Sequence, residues 1–179
     1  MTEELKHIQD SIFHILGLPI IDLTEDGECK GYDGYNFQIG TFKIKFRKAK
    51  VTPKKIGQFV TLWRRNAAKQ TEPFHINDDL DFYLIATRDN ERFGFFFFPK
   101  HVLGKNFILT DSNKIGKRGF RVYPDWDIPI SKQAQTAKAW QTAYFIDLTK
   151  NSSTAIEKFN LLVFRKTSAK PSGQSDDSI

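Results

Sequence analysis

Residues 42–55, FKIKFRKAKVTPKK, hold seven lysine or arginine side chains and no acid. A second, shorter basic set stands at residues 116–121, GKRGFR. Cations crowded in this way repel one another unless an anion arrives, and the anion with many charges at regular spacing is a nucleic-acid backbone. Arg47, Lys48, Lys50, Lys54 and Lys55 from the first block, with Lys117, Arg118 and Arg121 from the second, are therefore the candidate phosphate ligands. The bland alternative is a solvated basic surface. Gln58 and Gln141 are candidates for contacts to base edges, although most such glutamines are surface or helix-capping partners.

Other chemistries find less support. One cysteine, Cys29, and four scattered histidines, His7, His14, His75 and His101, do not form a zinc-ligating set, so no metal site is expected. There is no G-x-S-x-G elbow and no G-x-x-x-x-G-K-[ST] loop, and GKRG at 116–119 has the wrong spacing for a phosphate loop. Serine hydrolase and P-loop NTPase are disfavoured. Glu28 and Asp33 are the nearest acids upstream of the basic block and, with Lys50, the candidates for a catalytic set.

The charge alternates along the 179 residues. Residues 1–33 carry eight acids against two bases, 34–71 ten bases and no acid, 72–99 six acids against two bases, and 100–124 six bases against one acid. Two basic blocks are thus separated by acidic ones. The single cysteine cannot close an internal disulfide, which points to a reduced cytoplasm. The acidic N-terminal stretch does not read as a signal peptide. FGFFFF, residues 93–98, falls far short of the ~20 apolar residues of a membrane-spanning helix, and no membrane partner is expected.

These residues need elements to hold them. Thr2 followed by Glu3 and Glu4 starts a helix, and Leu5, Ile8, Ile12 and Ile15 carry its apolar stripe to about residue 16, where Gly17 and Pro19 end it. His7 and His14 share one face of that helix and read as surface or half-buried. Residues 24–36 read as a loop or short hairpin. Phe42, Ile44 and Phe46 alternate with Lys43, Lys45 and Arg47 as in a strand with one cationic face. The alternation slips at Ala49 and Val51, predicting a bulge or a strand that leaves its sheet. Thr52-Pro53 predicts a helix over about 53–68 with Lys54 and Lys55 in its first turn and Arg64 and Arg65 at its C-terminal end.

DFYLIATR (81–88) and RFGFFFFPK (92–100) read as a hairpin of buried strands, FRVYPDW (120–126) as a later strand, and Ser131 as the start of a helix to about 145. Trp63, Trp126, Trp140 and Tyr144 read as core. A short helix over about 153–162 precedes the polar tail 166–179, which has the composition of a disordered end. The expected organisation is one domain over 1–165 of the α+β class, a mixed or antiparallel sheet flanked by helices.

Four stretches together, FRKAKVTPKKIGQFVTLWRR (46–65), FGFFFFPKHVL (93–103), GKRGFRVYPDW (116–126) and WQTAYF (140–145), resemble the MepB-like family of bacterial proteins over roughly residues 25–162. The resemblance implies an endonuclease-like core of the PD-(D/E)XK type, in which an acid and an E-x-K strand hold a divalent metal beside the scissile phosphate. Laid on that motif, Lys50 matches the lysine while Lys48 stands where a metal-binding acid belongs. An ammonium repels Mg²⁺, so the expectation is a degenerate scaffold that grips phosphate without cleaving it and needs no cofactor. Two alternatives remain open: an active nuclease using Mg²⁺, and a protein-interaction module with a basic face.

Overall fold

Phe95 to Phe98 send their rings alternately to the two sides of a strand, so that strand must be covered on both. The computed structural model, which describes residues 1–27, 34–149 and 152–164, shows how. Strands β1 (Ile20–Glu25), β2 (Tyr35–Ile39), β3 (Phe42–Lys48), β8 (Phe82–Asp89), β9 (Arg92–Pro99) and β11 (Phe145–Asp147) form one mixed sheet in the order β1-β2-β3-β8-β9-β11. Every neighbouring pair is antiparallel except β3 and β8, which run parallel. Between these two lie β4 (Lys50–Thr52), β5 (Lys55–Thr61), β6 (Trp63–Arg65) and β7 (Thr71–Pro73). With β10 (Gly119–Val122), β4 and β5 make a second sheet of order β10-β5-β4, and β6 pairs with β7. The class is α+β, a mixed sheet flanked by helices.

One side of the large sheet presents Ile44, Phe46, Leu84, Phe95 and Phe97 to α1 (Glu3–Ile8) and α4 (Ser152–Phe164). Thr2 caps α1 by accepting from the Leu5 amide, as its sequence predicts, and the helix continues through a π turn, Gln9–Phe13, that keeps Ile12 and Phe13 buried. His7 lies at the surface with its ring stacked on Phe93. The other side presents Tyr83, Ile85, Phe96 and Phe98 to Val60 and Leu62, to Phe120 and Val122 of β10, and to α2 (Lys100–Lys105). Trp140 and Tyr144 close that layer over Phe98, from α3 (Lys132–Gln141) and the 3-10 turn that follows it. Each buried phenylalanine stabilises the fold by about 2 to 3 kcal/mol, so the two faces of β9 hold the layers together.

Of the two readings of the phase slip, a bulge or a departing strand, the second is present. Ala49 still donates to the Ala86 carbonyl of the large sheet, and from Lys50 the chain belongs to the second sheet. The predicted helix over 53–68 is not. Pro53 and Lys54 form a two-residue turn between Thr52 and Lys55, and β5 runs on as a strand. Thr-Pro suits a β-turn as well as a helix start. Gly57 decides against the helix, because its φ of +85° lies in the left-handed region. The β-branched Ile56, Val60 and Thr61 favour the strand, and β10 supplies its partner over Thr61 to Gln58. Lys54 and Lys55 therefore stand on a hairpin, not on a helix N-terminus, and Arg64 and Arg65 are not at a helix end.

The segment 24–36 is the end of β1 and the start of β2, with residues 28–33 outside the described residues. The tail 166–179 is outside them as well. Among the described residues no helix is long and apolar enough to cross a membrane.

Candidate functional site

Strand β10, the β4–β5 hairpin and helix α3 enclose a cleft of about 590 Å³. Lys54 and Lys55 reach it from the hairpin, and Lys117 and Arg121 from the segment leading into and along β10. Four of the eight predicted phosphate ligands, from blocks more than fifty residues apart in sequence, thus line one concavity. What brings them together is the β5–β10 pairing, in which Phe59 opposes Arg121 and Val60 opposes Phe120.

Arg121 is fixed. Its guanidinium donates to the Gly57 carbonyl at 3.0 Å and to Thr52 Oγ1 at 2.7 Å, which ties β10 to both strands of the hairpin. Lys50, Phe59 and Arg121 are in register across β4, β5 and β10 and so share one face, with the exposed Phe59 ring between the two cations. Lys50 thus continues the basic row one strand away from the cleft, whereas Arg118 turns to donate to the Thr71 carbonyl on β7.

The opposite wall is α3. Ser131 caps it, its Oγ accepting from the Ala134 amide at 3.3 Å, and Ser131, Gln133 and Ala134 line the cleft. No acid occupies the first turn, so the positive end of the helix faces the cleft without a carboxylate to neutralise it. Gln141 holds this wall in place. Its Nε2 donates to the Arg121 carbonyl and its Oε1 accepts from the Tyr123 amide, both at 2.9 Å. Gln141 is buried and committed to the backbone, as is Gln58, whose Nε2 donates to the Arg88 carbonyl at 3.2 Å, so neither side chain reads a base edge.

Arg47 and Lys48 lie elsewhere. Arg47 is 0% exposed and its Nη2 is 2.5 Å from Asp26 Oδ2, where Lys45 Nζ also binds at 2.8 Å. Burial alone would raise the Asp26 pKa, but the bonds and charges of Lys45 and Arg47 outweigh it and bring the carboxyl down to about 2. Lys48 Nζ lies 2.6 Å from Glu4 Oε1, with Arg88 Nε at 3.8 Å from the same oxygen. Burial opposes ionisation of Glu4 too, and Lys48 and Arg88 hold its pKa below the usual range. A phosphate has no access to Arg47, and Lys48 is spent on α1. Lys48 and Lys50, which the resemblance sets side by side in an E-x-K strand, belong to different sheets.

Glu28 and Asp33 lie outside the described residues. Among the described residues no three His, Cys, Asp or Glu side chains are placed to hold a metal ion. Tyr123, Trp140, Ser131 and Gln133 join the cleft without any motif pointing to them. The one signal for the helix wall is the Ser131 cap followed by Lys132 instead of an acid.

The family model for MepB-like proteins matches residues 26–147. This chain belongs to the MepB-like family. The crystal structure of MepB is 31% identical to this MepB-like chain, covering 84% of it and 100% of MepB, with a TM-score of 0.73. The structure of a bacterial homing endonuclease, I-Ssp6803I, is 15% identical over 94% of this chain and 93% of its own, with a TM-score of 0.49, a distance that assigns neither chemistry nor residues. None of the curated proteins matches the chain.

Proposed function

We propose that this MepB-like protein binds nucleic acid through the phosphate backbone, without sequence preference, and that the cleft between β10, the β4–β5 hairpin and α3 is where it does so. The observation that carries the reading is the convergence of Lys54, Lys55, Lys117 and Arg121 on one cleft. The four cations line one cleft, so an anion lodged there meets all of them. The first turn of α3 adds backbone N–H groups and the positive end of its dipole to the same cleft. Phosphate is held in this reading by ammonium, guanidinium and amide groups, so binding needs no metal ion. We place it in the cytoplasm, where nucleic acid is at hand.

Fluorescence anisotropy of labelled single- and double-stranded DNA and RNA tests it. With four phosphates contacted, affinity falls about 50- to 150-fold between about 50 and 200 mM salt, and EDTA leaves it unchanged. Absence of binding to every one of these ligands at low salt overturns the proposal.

A further inference from the structure

Resting on that reading, we infer that the cleft takes an unpaired nucleotide of a single strand, the base inside and the neighbouring phosphates on the basic rim. The cleft is larger than a backbone contact alone needs. At about 590 Å³ it lies within the ~300 to 1,000 Å³ of sites that enclose a small organic molecule. A duplex meets a protein surface with phosphate ridges, its bases stacked inside, and would leave this volume unfilled.

The lining matches a base. The half-buried Trp140 brings aromatic surface and the nearly buried Tyr123 an edge, while Asn106 and Gln133 bring amides that suit the polar edge of a heterocycle. Asn106 Nδ2 already donates to the Val102 carbonyl at 2.9 Å, which fixes that side chain. Ile130 lines the cleft and is 84% exposed, and Ile128, two residues before it across Pro129, is 80% exposed. Aliphatic side chains presented to water beside a set of cations are placed where a base or sugar covers them, as apolar wedges do at unstacked steps. The four cations also exceed the charge of about −2 on one phosphate monoester, so the ligand carries several phosphates, as a strand does.

The test uses the full chain and three labelled ligands of about 12 nucleotides: a thymidine strand, the same strand with abasic sugars, and a blunt duplex. The base-bearing strand binds about 5- to 150-fold more tightly than the abasic one, the range expected for stacking one base. Ala134→Phe, which narrows the cleft from α3 without removing a charge, removes that difference. Equal, salt-dependent binding of base-bearing and abasic strands overturns the base pocket while the backbone reading stands. The same holds if Ala134→Phe, folded by its thermal transition, keeps the full difference. A nucleoside triphosphate that displaces the strand at micromolar concentration overturns the assignment to a strand, and absence of binding to all three ligands overturns both proposals.

Discussion

Cationic side chains in one stretch of chain meet opposite fates here, and burial is what separates them. Arg47 is enclosed with Asp26 and Lys45, so its charge is an internal matter of stability. Asp26→Asn leaves two buried cations beside a neutral amide and is expected to destabilise the protein by about 3 kcal/mol, read as a lower urea midpoint at pH 7. The pH dependence has a definite sign. The Asp26 carboxyl titrates at about 2 in the folded chain against an ordinary 3.8, so its stabilisation is complete above pH ~4 and is lost as pH falls towards 2. The amount is about 2 kcal/mol, and acid unfolding of Asp26→Asn lacks that component. Lys54 and Lys117 are exposed, and their loss touches binding instead. Lys54→Ala and Lys117→Ala each lower the salt slope of affinity by about 0.7 to 0.9 and leave the thermal midpoint within about half a kcal/mol of stability.

At the scale of elements, the cleft depends on the hairpin and on the link between α3 and β10. Gly57 combines a φ of +85° with a close approach, since a Cβ there would stand 2.6 Å from the Tyr123 ring. Gly57→Ala is expected to cost about 1 to 3 kcal/mol and to weaken nucleic-acid binding beyond that loss by displacing Tyr123 from the cleft wall. Denaturation and anisotropy on the same sample separate the two effects. Gln141→Leu strands the Arg121 carbonyl and the Tyr123 amide, an expected cost of about 1 to 3 kcal/mol in urea unfolding. The buried strands β8 and β9 and the helices α3 and α4 were legible in the sequence because continuous apolar runs and a serine cap depend on local chemistry. The β4–β5 hairpin was not, because Thr-Pro starts a helix and a turn alike and the partner strand lies some sixty residues away.

Over the whole molecule, where a charge stands decides more than how many there are. Lys6, on α1 behind the other face of the large sheet, carries the same charge as Lys54. At about 0.1 M salt exposed charges more than ~10 Å apart are largely screened. Lys54→Glu is therefore expected to weaken binding sharply, whereas Lys6→Glu leaves it nearly unchanged, although both shift the net charge equally. Equal losses in anisotropy would mean that net charge alone drives association. Composition and patterning were enough to establish an α+β chain with a phenylalanine-rich core, two basic blocks, and a break in the strand after Lys48, since these follow from side-chain chemistry and a period of two. Which cations meet was settled by long-range pairing. Asp26 and Glu4 draw Arg47 and Lys48 into the body of the protein, while β5 and β10, adjacent only once the chain has folded, set Lys54 and Lys55 beside Lys117 and Arg121.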